Sequence, residues 1–226
     1  MLKKYDKLPN EFKNEKVLKY YQVLEKKKMY LFFKRILDII GSLILLIILF
    51  PIFIILGVLI KLDSKGPIFY RQERITQYGR IFKIFKFRTM IVDADKKGTL
   101  VTVGNDNRIT KIGRKIRKSR LDEIPQLINI LIGDMSFVGT RPEVKKYVDM
   151  YTDEMYATLL LPAGVTSRAS INFKNESEIF EKYNNKMNID DIYTKKILPV
   201  KMKYNLEYFD KLSLFEDIKI CVKTIM

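Results

Sequence analysis

The chain has 226 residues, room for one catalytic domain plus a membrane element but not for two independent cores. Its 42 Lys plus Arg outnumber 26 Asp plus Glu, and the formal charge of +16 calls for a polyanionic partner such as nucleic acid, anionic lipid or a phosphorylated substrate. Histidine is absent and Cys221 is the only cysteine, which excludes Ser-His and Cys-His nucleophile pairs, an internal disulfide and multi-cysteine zinc sites.

Residues 1–28 are rich in Lys and Tyr without a long apolar run, and read as a basic segment lying on the membrane surface. From Ile36 to Ile60 the only charged residue is Asp38, a length that suffices to reach across a hydrocarbon core of about 30 Å as a helix. The run starts too far into the chain for a cleaved signal peptide, and it is too long and apolar for the core helix of so small a soluble protein. Pro51, preceded by Phe50, falls in the middle of it, where a missing backbone donor and a steric clash predict a bend or break. Basic clusters flank both ends: Lys26, Lys27, Lys28, Lys34 and Arg35 before, Lys61, Lys65, Arg71, Arg74 and Arg80 after. A simple span would place one cluster outside, against the positive-inside bias, whereas a re-entrant hairpin of two half-helices keeps both inside. A kinked single span is the competing topology.

The remainder, 63–226, reads as one cytosolic domain. Pro67–Arg74 and Arg80–Arg88 flank the turn signal Tyr78-Gly79, and apolar and basic residues roughly alternate from Ile81 to Arg88, predicting a β-hairpin with one basic face. Ile109, Ile112 and Ile116 recur at helical spacing among Lys111, Arg114, Lys115, Arg117 and Lys118, an amphipathic helix with a cationic face. Leu121 to Leu131 reads as a further helix, with Pro125 in its first turn and Gly133 as its cap, so Asp122 and Glu123 sit at its positive end. An irregular stretch covers Leu161–Val165, and Ser213 with Glu216 opens a last helix on which Phe215, Ile218, Val222 and Ile225 face one way. The fold class expected is α+β, predominantly helical: a membrane helix hairpin (29–62) plus a small catalytic domain with a β-hairpin and amphipathic interfacial helices.

Asp122 and Glu123 alone could be ordinary helix-start carboxylates. Their company changes the reading: Arg117 precedes them, and the glycine-containing Gly133–Pro142 loop follows with Arg141 between Thr140 and Pro142, suited to gripping phosphate. Carboxylates beside arginines suit a diphosphate with a divalent cation, and Mg²⁺ prefers the carboxylate and phosphate oxygens such a site supplies without histidine.

Two blocks, Ser119-Arg120-Leu121-Asp122-Glu123-Ile124-Pro125-Gln126-Leu127-Ile128-Asn129 and Gly133-Asp134-Met135-Ser136-Phe137-Val138-Gly139-Thr140-Arg141-Pro142-Glu143, resemble the signature of the bacterial sugar transferases, the monotopic polyprenyl-phosphate phosphoglycosyl transferases. Lys34–Asp38, Pro51, Gly66–Gln72 and Phe85–Met90 share the resemblance, which spans about residues 31 to 226. Departures are Phe50 where relatives commonly carry Ser, Thr140 for Pro, and Pro162-Ala163-Gly164-Val165-Thr166-Ser167 in place of the usual segment. The resemblance implies that Asp122 attacks the β-phosphorus of a UDP-sugar and releases UMP, and that polyprenyl (undecaprenyl) phosphate then displaces the sugar phosphate from Asp122. It implies that Asp122 and Glu123 hold Mg²⁺, that Arg117 and Arg141 hold phosphate, and that Lys86 and Arg88 add further phosphate contacts. Anionic lipids of a bacterial inner membrane, on its cytoplasmic face, are the expected surroundings; homodimerisation is left open. Nucleic acid is not expected, because it would explain the charge but not the apolar run. A non-catalytic basic membrane scaffold is the alternative, and it would leave both carboxylates idle.

Overall fold

The structure, a computed structural model, describes residues 2–94, 106–173, 176–183 and 186–225. Helix α1 (Glu15–Lys26) starts at Asn14, whose side chain accepts from the Val17 amide at 2.9 Å. Its Val17, Tyr21 and Leu24 recur at i, i+4, i+7, and together with Leu8 and Phe12 they are buried in the main core. The N-terminal segment is therefore part of the catalytic domain's interior, not the surface-lying element its lysines suggested. The burial of each such side chain contributes on the order of 1.5–3 kcal/mol, which outweighs the preference of neighbouring lysines for a lipid surface.

Helix α2 (Lys28–Asp63) contains the apolar run and continues through Pro51. At about 1.5 Å per residue it is longer than a bilayer core is thick. The expected pair of half-helices is one unbroken element here. Pro51 is exposed, as is Ile47 one turn earlier (67 %), so the ring presses on the outer side of the helix, where no packing opposes it. The opposite face is buried along its length by Lys34, Asp38, Ser42, Leu56, Gly57 and Ile60. Leu46 and Leu49 pack on Phe82, Leu127 and Ile130, while Leu56 and Ile60 pack with Phe87 and Ile116. Outward, Phe33, Ile40, Ile44, Ile48, Ile55 and Leu62 are exposed, an apolar surface that only lipid or protein would cover.

Strands β1 (Phe69–Ile75) and β2 (Ile81–Phe87) form the expected antiparallel hairpin, with Phe69 opposite Phe87 and Ile75 opposite Ile81. Tyr78 (φ 60) and Gly79 (φ 76) make its turn in the left-handed region. Helix α3 (Lys111–Lys118) buries Ile116 and presents Lys111, Arg114, Lys115 and Lys118 outward, while Arg117 is half-buried. A short 3₁₀ turn, Leu121–Glu123, carries the two carboxylates; helix α4 (Gln126–Ile132) follows and ends at Gly133 (φ 93). The expected single helix is thus divided at Ile124-Pro125.

A second sheet was not foreseen. Strands β3 (Met135–Val138) and β4 (Ala163–Thr166) pair in parallel, so part of the supposed irregular stretch is a strand. Between them lies α5 (Lys145–Val148), and after them come α6 (Arg168–Asn172), α7 (Glu176–Tyr183), α8 (Ile189–Ile192) and α9 (Leu198–Glu207), which close the main core. The last helix, α10 (Leu214–Ile225), is capped by Ser213, whose Oγ accepts from the Glu216 amide at 3.1 Å. Its Phe215, Ile218 and Val222 point outward; the Ile225 side chain lies outside the described residues. Asp217 on the inner side of α10 holds Lys34 of α2 at 2.8 Å and accepts from Tyr30 and Tyr208, which fixes α10 beside the membrane helix.

Candidate active site

The chain places the carboxylate turn by a side chain that imitates a peptide. Asn129, fully buried on α4, accepts from the Phe85 amide at 2.8 Å and donates to the Lys83 carbonyl at 3.1 Å. It thereby hooks α4 onto the free edge of β2 and sets the preceding 3₁₀ turn against Lys86. From the other side, the loop after β3 is fixed by close backbone crossing: the Gly139 amide donates to Thr166 and the Gly164 amide donates to Thr140. A Cβ on Gly164 would lie 2.1 Å from the Gly139 nitrogen, so neither strand tolerates a side chain there.

Asp122 is 9 % exposed and lines a cavity of about 620 Å³. Lys86, Arg88, Arg117, Arg74, Gln72 and Thr89 also line it, so four of the six residues singled out from sequence share one space. Burial pushes the Asp122 carboxyl above the ordinary aspartate range; Lys86 and Arg117 oppose the rise and Glu123 adds to it. Arg117 is aimed by Thr89, whose Oγ1 accepts from its Nε at 2.8 Å.

Glu123 is not among the cavity-lining residues, and its two oxygens are occupied. Lys86 Nζ donates to Oε1 at 3.0 Å, and Arg141 grips both oxygens, with Nη1 at 3.2 Å from Oε2. Burial alone would raise the Glu123 carboxyl, but the Arg141 and Lys86 charges outweigh it and hold it well below the usual carboxylate range. Burial likewise lowers the Lys86 ammonium, with Glu123 opposing. Arg141 is therefore committed to Glu123 in this geometry, and it reaches phosphate only if that pair opens.

Arg88 has a different use from the one expected. Its guanidinium donates to the carbonyls of Ile60 (3.3 Å), Ser64 (2.7 Å) and Lys65, closing the C-terminus of α2. Gly66 (φ 130) lets the chain turn there, since a Cβ would fall 2.0 Å from Arg88 Nη1. Arg88 is thus a structural cation at the helix end, because terminal carbonyls two dozen residues earlier in sequence converge on it. Phe50 is exposed and, with Pro51, interrupts no helical element. Sequence reasoning missed Arg74 as a wall residue. Its Nη1 donates to Pro142 at 3.1 Å and Gln72 Oε1 accepts from its Nη2 at 2.6 Å, linking the hairpin to the Arg141 loop; its place inside a strand next to the basic run was the available signal.

For Mg²⁺ the expected pair of carboxylates does not fit. Both Glu123 oxygens are taken by cations, and among the described residues no group of three or more His, Cys, Asp or Glu could hold a metal. Among the described residues no other side chain hydrogen-bonds the Asp122 carboxylate, which takes a hydrogen bond from its own backbone. It fits the mode in which Mg²⁺ takes one carboxylate and completes its shell with substrate phosphate and water.

The description "bacterial sugar transferase" fits residues 29–226. The chain belongs to the bacterial sugar transferase family. Among its relatives, a UDP-N-acetylgalactosamine-undecaprenyl-phosphate N-acetylgalactosaminephosphotransferase of Aeromonas hydrophila is 33 % identical over 201 residues, covering 87 % of this chain and 44 % of the relative. A putative undecaprenyl-phosphate N-acetylgalactosaminyl 1-phosphate transferase of Bacillus subtilis strain 168 is 42 % identical over 135 residues, 60 % of this chain and 75 % of the relative. A UDP-glucose:undecaprenyl-phosphate glucose-1-phosphate transferase of Klebsiella pneumoniae is 35 % identical over 197 residues, 85 % of this chain and 39 % of the relative. This bacterial sugar transferase therefore spans less than half the length of two of these three proteins. Leu8, Phe12, Val17, Tyr21 and Leu24, which lie in the core, precede the family match.

Lys86 holds down the raised Asp122 carboxyl, so replacing it has a signed consequence. If the carboxylate form of Asp122 is the reactive one, Lys86→Met moves the acid limb of kcat/KM for UMP release to higher pH. A pH profile in which rate falls but the limb stays in place would separate Lys86 from the ionisation of Asp122.

Proposed function

We propose that this bacterial sugar transferase moves a sugar 1-phosphate from a UDP-sugar to undecaprenyl phosphate through a covalent intermediate on Asp122. In the first step a carboxylate oxygen of Asp122 forms a bond to the β-phosphorus, the bond from that phosphorus to the bridging oxygen breaks, and UMP leaves with it. The sugar phosphate remains on Asp122 as a mixed anhydride. In the second step an oxygen of the lipid phosphate attacks the same phosphorus and the carboxylate departs unchanged, leaving a polyprenyl-diphosphate sugar. Each step exchanges one phosphoryl linkage for another, so the protein's task is positioning and charge compensation. Arg117, Lys86 and Arg74 supply positive charge around the cavity. A Mg²⁺ ion held by Asp122 and the diphosphate oxygens would offset further charge.

The observation that carries this reading is the division of labour between adjacent carboxylates. Glu123 is neutralised by two cations, while Asp122 is buried, lines the cavity and, among the described residues, forms no ion pair of its own. The test is to incubate the full chain with a UDP-sugar labelled in the β-phosphate, in the absence of acceptor, and map the label by peptide mass spectrometry. An adduct on the peptide bearing Asp122 is expected; turnover with the label on no peptide would end the reading.

The same proposal seats α2 in the cytoplasmic leaflet of the inner membrane, entering and leaving on one side. Its two ends engage one domain. Arg35 donates to Ile130 and Leu131 at 2.7 and 2.9 Å, while Asp63 accepts from the Ile112 amide at 3.0 Å and Arg88 closes the last carbonyls. Pro51, on the outer face of α2, is the position at which a bend would turn both ends toward that domain. The outward Phe215, Ile218 and Val222 of α10 extend the lipid-facing surface. In a Cys221→Ser background, Lys28→Cys and Lys65→Cys should both react with a membrane-impermeant thiol reagent only from the cytoplasmic side; labelling of one from outside would establish a span.

A further inference from the structure

A second hollow lies on α2 itself. Phe50, Ile54, Gly57 and Val58 of the helix form it with Ile68 and Phe69, which lead into β1, and its volume is about 510 Å³. Gly57 is its floor, where the missing side chain leaves space above Ile68: a Cβ there would approach Ile68 Cδ1 to 3.4 Å. Lys61 is the only charged residue of the lining. Phe69 belongs to both this groove and the cavity of Asp122. Its ring stacks on Phe87 with centroids 5.5 Å apart, and the Phe53 ring packs against Phe87 at 5.2 Å. The Phe69 ring therefore borders both an apolar groove on the exposed side of α2 and a cation-lined cavity.

We infer that this groove holds the isoprenoid chain of the lipid-phosphate acceptor, so that its phosphate passes Lys61 and Phe69 to reach Asp122. The inference rests on the transferase reading above and adds the acceptor's subsite to it. A nucleotide or sugar would meet Lys61 as the one charged side chain in this lining and apolar walls elsewhere, whereas a hydrocarbon chain finds the same apolar surroundings there that it has in lipid. The groove opens on the exposed side of α2, where Ile54, Val58 and Leu62 face outward, so a chain already in the bilayer enters sideways. Lys61 provides the charge complement for a phosphate carried at the chain's head. A ring shared by groove and cavity matches the need for the head to react while its tail remains in lipid.

An ordinary phospholipid tail has the same apolar chemistry, and the experiment separates the two. Ile54→Trp and Val58→Trp fill the groove without adding charge, and Ile47→Trp, on α2 but outside the groove, is the control. With the full chain in vesicles of defined phospholipid composition, each filling variant should raise KM for undecaprenyl phosphate by about tenfold or more. The burst of UMP released from UDP-sugar without acceptor, and sedimentation with vesicles, should match the unsubstituted chain, as should every property of Ile47→Trp. An unchanged acceptor KM in both filling variants overturns the assignment. So does a rise in KM that only tracks lost vesicle binding, which would make the groove a general lipid contact. If the unsubstituted chain gives no burst, the covalent reading fails first and takes this subsite with it, an outcome visible before any groove variant is measured.

Discussion

Asp122→Asn should abolish sugar-phosphate transfer while leaving the fold at least as stable. The amide is nearly the same shape but cannot form the phosphoryl linkage, and removal of a covalent nucleophile costs about 10⁴-fold or more in rate. Stability should move the other way. Burial raises the Asp122 carboxyl above its unfolded value, so the folded state binds the proton more tightly and loses stability as pH rises through that interval. An ionised carboxylate there carries a burial cost that Asn does not. Thermal unfolding at pH 7 should therefore show an equal or higher midpoint, alongside UMP release at background. Undiminished UMP release would remove Asp122 from the mechanism; inactivity with a sharply lowered midpoint would mean the side chain is structural.

The second large effect is expected at a crossing of backbone with backbone. Gly164→Ala puts a methyl 2.1 Å from the Gly139 nitrogen and 2.3 Å from its oxygen, and backbone cannot yield as a side-chain tip can. The β3–β4 pair must part, at a cost of about 3 kcal/mol, the upper end for overpacking a core. The next residues of the displaced strand are Thr140 and Arg141, so the Arg141–Glu123 pair loosens with it. Denaturant unfolding should show the loss of stability, and UMP release should fall in the fraction that remains folded. A variant with unchanged stability would contradict the close crossing.

Much of this arrangement is legible in the residues because the deciding signals are local. An uncharged run of helical length gives α2, Tyr78-Gly79 gives the hairpin, isoleucines three and four apart give α3, and Ser213 with Glu216 gives the start of α10. What escapes reading depends on partners distant in sequence. Val17, Tyr21 and Leu24 do form a stripe, but interleaved lysines mask it, and only the core it meets makes it interior. Strands of four residues, β3 and β4, are too short to show a period, and their pairing rests on two glycines 25 positions apart. Arg88 sits in a basic run that suits an anion, yet the carbonyls of Ile60, Ser64 and Lys65 occupy it. Position alone gives Asp122 and Glu123 the same place at a helix start, and only the family resemblance sets Asp122 apart; in the structure Lys86 and Arg141 hold Glu123.

The N-terminal segment carries a practical lesson about what counts as one unit. Kinship to other sugar transferases begins at residue 29, but Leu8, Phe12, Val17 and Leu24 share an interior with Leu160, Met202 and Phe209. The stretch that is inherited in common and the stretch that melts as one body are not the same. Trimming the chain to the shared portion would strip a wall from the very interior that holds the remaining helices together.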